Sequence, residues 1–281
     1  FTIAPEAGTD RLRRVINKEL DEGILFQGLK DLFSKGWRNI KLYFMMGLPT
    51  EKEEDLRGVL DLSKKVSSLG ERQKIHPNIN VSISTFVPKP HTPFQWESQI
   101  PLEVMKENLS FLRSELKRNT LRFKWQDPHL SFLEGIFSMG DRNLSRVLIE
   151  AHRLGCRFDG WTDQFHYPRW TEAFERAEVK MEAYTQGKNF KEVLPWSFID
   201  TGVEPPFLWK EYQKGLREEM SPPCEEDCSR CGVCDGERLR VREGFPEKRI
   251  LLENRRQHGR QTKGVKKKIR MRFTNEGEVR C

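Results

Sequence analysis

The stretch Ile40-Lys41-Leu42-Tyr43-Phe44-Met45-Met46-Gly47-Leu48-Pro49-Thr50 decides the fold of this chain. Its first part is a mostly apolar run, which is typical of a buried β-strand. A glycine and a proline end the run, and Thr50 with Glu53 predicts a capping box that opens a helix through about Leu69. The stretch therefore predicts a strand, a tight loop and a helix in direct succession.

The same succession precedes and follows this stretch. Before it, residues 1–4 form a short apolar run, residues 5–8 turn the chain, and Thr9 is placed to cap a helix. After it, residues 79–86 form a strand, and a Pro-rich loop leads to a helix from about 102 to 118. Strands that alternate with helices predict an α/β fold with a parallel sheet, whose ligands bind at the carboxyl ends of the strands.

Beyond this part, the sequence predicts helices and then a change of composition. No strand signal is visible from Phe123 to about Tyr184, and Ser131 with Glu134 predicts a further helix start. We expect the aromatic residues of this region to pack between helices; they are Trp161, Phe165, Tyr167 and Trp170. The expected parts are an α/β domain, a helical region, a Cys-rich loop and a basic linker that enters a further domain: residues 1–120, 121–215, 216–236 and 237–281.

The net charge of +7 on 281 residues is concentrated at the carboxyl end. Residues 236–281 hold 15 Lys or Arg against 6 Asp or Glu, so the rest of the chain is slightly acidic. A main body that bound nucleic acid would carry its own basic patch, and contact with RNA is therefore expected only through the tail. The chain lacks a secretory signal and any apolar run of membrane-spanning length, which predicts a cytoplasmic protein without membrane contact.

Four of the six cysteines lie within eleven residues, at Cys224, Cys228, Cys231 and Cys234. Thiolates this close repel one another unless a cation or cluster neutralises them, so the quartet predicts a metal site. The spacing leaves zinc and an iron–sulfur cluster open, with unligated thiols as the alternative. Cys156 stands alone in a helical region, and we expect it to be a small core residue.

Three phrases, each at the end of a predicted strand, resemble those of radical S-adenosylmethionine (SAM) enzymes. They are Ile3-Ala4-Pro5-Glu6-Ala7-Gly8-Thr9-Asp10, Phe44-Met45-Met46-Gly47-Leu48-Pro49-Thr50-Glu51 and Phe86-Val87-Pro88-Lys89-Pro90-His91-Thr92-Pro93-Phe94-Gln95-Trp96. The continuation resembles the branch of the family that has an upstream cobalamin-binding domain; its phrases are residues 131–135, 155–161 and 194–196. The resemblance covers nearly the whole chain.

The resemblance implies the second half of a partial (β/α) TIM-like barrel. It implies an enzyme that cleaves SAM to a 5′-deoxyadenosyl radical and acts on a substrate that the sequence does not identify. The residues expected to hold SAM are Glu6, Met46, Gly47, Leu48, Val87 and Pro88. His91, at the same rim, is expected either to face the substrate or to shape its loop.

The resemblance further implies a [4Fe–4S] cluster whose Cys triplet lies upstream of Phe1, so we expect this chain to be a piece of a longer protein and inactive alone. The triplet Cys224, Cys228 and Cys231 has the family spacing but follows every barrel strand, so we do not assign the SAM cluster to it. Whether cobalamin takes part through an upstream domain is left open. The competing hypothesis is a non-catalytic module that binds a metal and RNA.

We predict that anaerobically purified protein contains zinc or iron and that Cys228→Ser lowers this content. Because metal binding would supply much of the folding energy of the Cys-rich loop, the substitution should also loosen residues 222–236 and leave the α/β domain intact. Elemental analysis and limited proteolysis of both proteins measure the two effects. A wild-type protein that carries neither metal contradicts the prediction.

Overall fold

The structure, a computed structural model, describes residues 1–117, 119–224, 226, 228–234, 272–273 and 279–280. The chain divides into two compact units, one of residues 1–197 with 211–221, the other of the described parts of 198–210 and 222–281. The first unit contains a parallel sheet and most of the helices. Among the described residues, no helix has both the length and the apolar composition that crossing a bilayer requires.

The sheet of the first unit has four parallel strands in the order of the sequence. They are β1 Thr2–Glu6, β2 Asn39–Met46, β3 Asn78–Thr85 and β4 Leu121–Trp125. In the second unit, two short strands pair antiparallel; they are β5 Arg272–Phe273 and β6 Val279–Arg280. The sequence predicts a strand through Ile269, Met271 and Phe273, of which only Phe273 lies in the described residues.

The described helices follow the strands in alternation and then form a helical region. They are α1 Asp10–Val15, α2 Glu22–Ser34, α3 Glu53–Arg72, α4 Leu102–Glu115, α5 Pro128–Ser138, α6 Leu144–Arg153, α7 Tyr167–Arg176, α8 Glu182–Thr185 and α9 Pro205–Leu216, with a short 3₁₀ turn at Pro93–Trp96. The predicted alternation of strands and helices is confirmed for the first part of the chain. The coarse prediction of a mixed α/β fold with a parallel sheet is therefore confirmed.

One face of the sheet forms the core of the first unit. Alternate residues of β2 and β3 are buried there, among them Leu42, Phe44 and Val81, and they pack with apolar residues of the helices. The other alternate residues of the same strands are half-buried or exposed. Because successive side chains of a strand point to opposite faces, the sheet has one apolar, helix-covered face and one polar face.

Strand β4 was not predicted, because its five residues give a weak and unusual signal. Its burial changes from Leu121, which is buried, to Arg122 and Lys124, which are exposed. Charged side chains on one face and few residues make such a strand resemble a loop in sequence. The expectation that the strand signal ends before Phe123 is therefore wrong, and the sheet gains a fourth strand beside β3.

Three helix starts can be compared with their predictions. Thr9 caps α1 as predicted, and its hydroxyl accepts from the Leu12 amide at 3.2 Å. The predicted box of Thr50 with Glu53 is wrong, because the chain turns once more and α3 begins only after Lys52. The box of Ser131 with Glu134 is also wrong, since α5 begins at Pro128 and Asp127 caps it.

The aromatic residues of the helical region divide into two kinds. Trp170 is 8% exposed and packs edge-on against Phe137, as the expectation of core packing requires. Trp161 is 69% exposed, so the expectation is wrong for that residue. Trp161 lies in the short turn before α7 rather than within a helix, and it does not reach the core. Cys156 is buried, as expected of a small core residue.

We predict that Gly8→Ala strongly destabilises the fold. A Cβ atom at Gly8 would lie 2.2 Å from the Asp55 carbonyl oxygen and 2.3 Å from the Val59 amide nitrogen, both backbone atoms of α3. Backbone cannot move aside as a flexible side chain does, so we expect a loss of about 3 kcal/mol in the free energy of unfolding. Denaturant unfolding monitored by circular dichroism measures it.

The matched control is Gly28→Ala in α2, where a Cβ atom would meet nothing within 4 Å. Alanine has the higher helix propensity, so this variant should gain up to about 1 kcal/mol. Equal stability of the two variants would contradict the close packing of the β1 loop on α3.

Candidate functional site

The loops that the sequence singled out leave the sheet at one edge. Glu6 at the end of β1 is paired beside Phe44 of β2, and the Phe86 amide after β3 donates to the Met46 carbonyl at 2.8 Å. All three strands run in the same direction, so the loops after them begin next to one another. This edge, formed by residues 5–8, 47–51 and 87–93, is called the strand-end rim below.

Asp55 in the first turns of α3 ties two of these loops together. Its side chain has no exposed surface, and it accepts hydrogen bonds from the Thr9 hydroxyl and the Arg11 guanidinium. It also accepts from the Lys52 amide at 2.8 Å, which caps the helix. The loop after β1 and the loop after β2 are therefore attached to the same carboxylate.

Arg11 extends this connection to the backbone of the second loop. Its guanidinium donates to the Thr50 carbonyl at 3.0 Å and to the Thr50 hydroxyl at 3.2 Å. Thr50 has a φ of +64°, a left-handed conformation that is strained for a β-branched residue and needs such support. A further ion pair joins Arg11 to Glu218 at 3.1 Å. The cation thus holds residue 50 in its unusual conformation.

The side chain of Glu51 folds back onto the start of its own loop, the one that follows β2. Its carboxylate accepts from the Gly47 amide at 2.7 Å, and its own amide donates to the Leu48 carbonyl at 3.0 Å. Burial raises the pKa of Glu51 to about 7, although hydrogen bonds from the Gly47 and Leu48 amides act in the opposite direction. The Gly47 amide is therefore occupied in this structure and is not a free donor for a ligand.

The predicted SAM residues of this loop are mostly buried. Met46 is 1% exposed and packs in the core on the helix-covered face, while Leu48 is 3% exposed and packs in a smaller core near α1. Gly47 has a φ of +76°, and a Cβ atom there would meet Ile100 at 2.6 Å. The half-buried neighbour Met45 lies on the opposite face of the sheet from Met46 and packs against the same smaller core as Leu48.

The other predicted SAM residues lie on the flanking loops. Glu6 is half-buried with a φ of +66°, and Val87 is half-buried. Pro88 is buried, and its carbonyl accepts from the Ser138 hydroxyl at 2.8 Å. Residues 6 and 87 are therefore the predicted members with side-chain surface left for a ligand, whereas Pro88 anchors its loop to α5.

His91 shapes the third loop through its backbone. It has a φ of +55°, and its amide donates to the Gln95 side-chain oxygen at 3.0 Å. The same oxygen accepts from the Trp196 indole at 2.7 Å. The ring nitrogen Nε2 of His91 is buried without a hydrogen-bond partner in the structure. Of the two predicted roles, these contacts favour loop shaping.

Arg13 is a positioning residue that sequence reasoning missed. It is 1% exposed, and its guanidinium donates to the Ala7 carbonyl at 3.1 Å and to Glu22 at 2.9 Å. A buried arginine needs such partners, and here they are the loop after β1 and the start of α2. Its position between two apolar residues of α1, Leu12 and Val15, was the available signal.

The predicted metal quartet is not gathered in the structure. Cys224 and Cys228 are exposed, Cys231 and Cys234 are half-buried, and the described residues contain no group of three or more His, Cys, Asp or Glu side chains that could hold a metal. Gly232 with a φ of +99° gives the segment one tight turn. Thiolates remain the right donors for zinc or an iron–sulfur cluster, and the metal site stays a prediction.

We predict that Glu51→Gln changes how stability depends on pH. Because the pKa of Glu51 is raised by folding, the folded wild type binds more protons than the unfolded chain between about pH 4.5 and pH 7. Its free energy of unfolding should therefore fall, relative to Glu51→Gln, by up to about 3 kcal/mol as the pH rises through this window. Denaturant unfolding at pH 4.5, 6 and 8 measures the difference.

Glutamine keeps an oxygen that can accept from the Gly47 amide, so the variant should fold. The exposed Glu53 provides the control, and Glu53→Gln should follow the wild-type pH profile. Parallel profiles for wild type and Glu51→Gln would contradict the burial of this carboxyl group.

Comparison with known proteins gives one relative and no family. An uncharacterized protein of Methanocaldococcus jannaschii is 36% identical over 149 residues, which are 53% of this chain and 32% of that protein. The match thus spans about a third of the relative. No protein-family model matches the chain. No solved structure matches it.

Proposed function

We propose that this chain is the carboxyl-terminal portion of a radical SAM enzyme and that the strand-end rim holds part of the adenosyl ligand. One observation carries the proposal. The three phrases that resemble the family stand at the carboxyl ends of neighbouring parallel strands, in sequence order. Helices cover one face of the sheet, as in half of a (β/α) barrel, and such folds bind ligands at this edge.

Some residues of the rim are placed to contact the ligand, and others hold the loops in position. Glu6 is able to accept from a ribose hydroxyl or from the amino group of SAM, and the half-buried Val87 offers apolar surface at the end of β3. Asp55 and Arg11 keep the loops in place through the contacts described above. A rim already fixed before the ligand arrives loses less conformational entropy on binding.

The chemistry itself comes from cofactors. A reduced [4Fe–4S] cluster, with ligands upstream of this chain, would cleave SAM to the radical that takes a hydrogen atom from the substrate. This chain would bind and orient SAM and keep water from the reactive carbon. Cobalamin in an upstream domain completes the set of cofactors that the resemblance suggests, and the thiolates of the Cys quartet are suited to bind zinc or a second iron–sulfur cluster in addition.

The competing function is a non-catalytic module that binds a metal and RNA. It is favoured by the concentration of positive charge in residues 236–281 next to the Cys quartet. The contacts of the rim do not favour this function, because Asp55 and Arg11 anchor loops at the ends of the strands. The enzyme is therefore the proposal that accounts for more of the described residues.

We predict that the full-length gene product, reconstituted anaerobically with iron and sulfide and then reduced, converts SAM to 5′-deoxyadenosine. Glu6→Ala should weaken SAM binding at least tenfold, because a hydrogen-bonded carboxylate is worth about 1.5 to 3 kcal/mol. Chromatographic assay of 5′-deoxyadenosine and equilibrium dialysis with SAM measure the two quantities.

The exposed Glu19 offers a matched control, and Glu19→Ala should bind SAM as the wild type does. A full-length protein without an upstream Cys triplet, or one that forms no 5′-deoxyadenosine, overturns the proposal. Tight RNA binding by such a protein would then support the competing module.

A further inference from the structure

The polar face of the sheet carries a group of cationic side chains. In the register of the strands, Lys41 lies beside Asn80, and Asn80 beside Arg122. The next row on the same face places Tyr43 beside Ser82, and Ser82 beside Lys124. Neighbouring strands are about 4.8 Å apart and alternate residues about 6.6 Å apart, so the Cα atoms of the three basic residues lie within roughly 12 Å of one another.

Among the described residues of β2, β3 and β4, no acidic residue lies on the same face as these charges. The positions that β2, β3 and β4 place there are neutral or basic; they are Asn39, Lys41, Tyr43, Met45, Asn78, Asn80, Ser82, Ser84, Arg122 and Lys124. Among the described residues, neither Arg122 nor Lys124 has an acidic group within ion-pair distance, and the Lys41 ammonium rests on the Tyr43 ring at 4.4 Å.

The cations of the outer helices are arranged differently. Arg57 pairs with Glu53 at 2.6 Å, Lys106 with Glu103 at 2.9 Å, and Arg176 with Glu172 at 2.5 Å. At these positions the helix surface therefore mixes both signs of charge. A face with one sign of charge and interleaved amide and hydroxyl donors concentrates multiply charged anions.

We propose that the polar face of the sheet binds a phosphate-bearing anion, as part of the substrate of the enzyme proposed above, on which this inference rests. Arg122 supplies a planar fork of donors that matches phosphate oxygens, Lys124 and Lys41 supply point charges, and Asn80 and Ser82 supply neutral hydrogen bonds. The face is cationic enough to neutralise two or three negative charges.

This place is separate from the strand-end rim. Ser82, beside Lys124, precedes the last residue of β3 by three positions, which is about 10 Å along the strand. Asn80, beside Arg122, lies farther from the rim by another two positions. A substrate bound through its phosphate on this face would thus extend towards the rim without occupying it.

The test measures the binding of inorganic pyrophosphate to the full-length protein by isothermal titration calorimetry at low salt. We expect binding by the wild type and a loss of at least tenfold in affinity for Arg122→Gln/Lys124→Gln. Both residues are exposed, so the double variant should keep the wild-type thermal unfolding temperature. The control is Arg57→Gln/Arg176→Gln, which removes two exposed charges from α3 and α7, each paired with a glutamate, and should leave the affinity within twofold.

Absence of pyrophosphate binding at millimolar concentration, or an equal loss in the two double variants, overturns the inference. So does tighter binding of citrate than of pyrophosphate, since it would indicate a carboxylate ligand. A protein that cleaves SAM but ignores pyrophosphate refutes this inference alone. One that binds pyrophosphate at Arg122 and Lys124 without cleaving SAM refutes the enzyme and its substrate, and shows only an anion site.

Discussion

The buried carboxylate of Asp55, in the first turn of α3, holds together the loops that follow β1 and β2. A buried charge without partners would cost several kcal/mol, so its burial is tolerable only while Arg11, Thr9 and the Lys52 amide are in place. These partners come from two segments of the chain, the start of α1 and the loop before α3. The first two loops of the rim therefore form as one unit and are not independent of one another.

The same arrangement explains why the rim tolerates unusual backbone. Thr50 adopts a left-handed conformation that Arg11 supports from one side, while Glu51 closes the loop from the other. Backbone strain of this kind is common where a loop must present groups in one fixed geometry. The first two loops of the rim are thus held by groups of the chain itself, whereas Arg122 and Lys124 on the polar face of the sheet have no acidic partner among the described residues.

The sequence predicted what periodicity and capping determine. Strands β2 and β3 alternate or run apolar, and Thr9 has a hydroxyl at the start of α1, so these elements could be placed from residue types alone. Strand β4 was not predicted, because its five residues include two charged ones and are recognisable as a strand only from their pairing with β3.

The burial of individual site residues could not be predicted, because it depends on which face of a strand the helices cover. Met46 and Met45 are identical in type and adjacent, and only the packing of the sheet assigns the first to the core and the second to the polar face. Asp55, Arg13 and Glu51 were missed for a related reason. Charged residues are usually solvated, and their burial depends on partners distant in sequence.

The central claim is that SAM binds at the strand-end rim, and a crystal structure of the reconstituted full-length protein with SAM tests it most directly. The account predicts density for the adenosyl group within hydrogen-bond distance of Glu6 and against residues 45–51 and 87–88, with Asp55 still joined to Arg11. Density for SAM at another edge of the sheet, or a rim whose loops separate when SAM binds elsewhere, would contradict it.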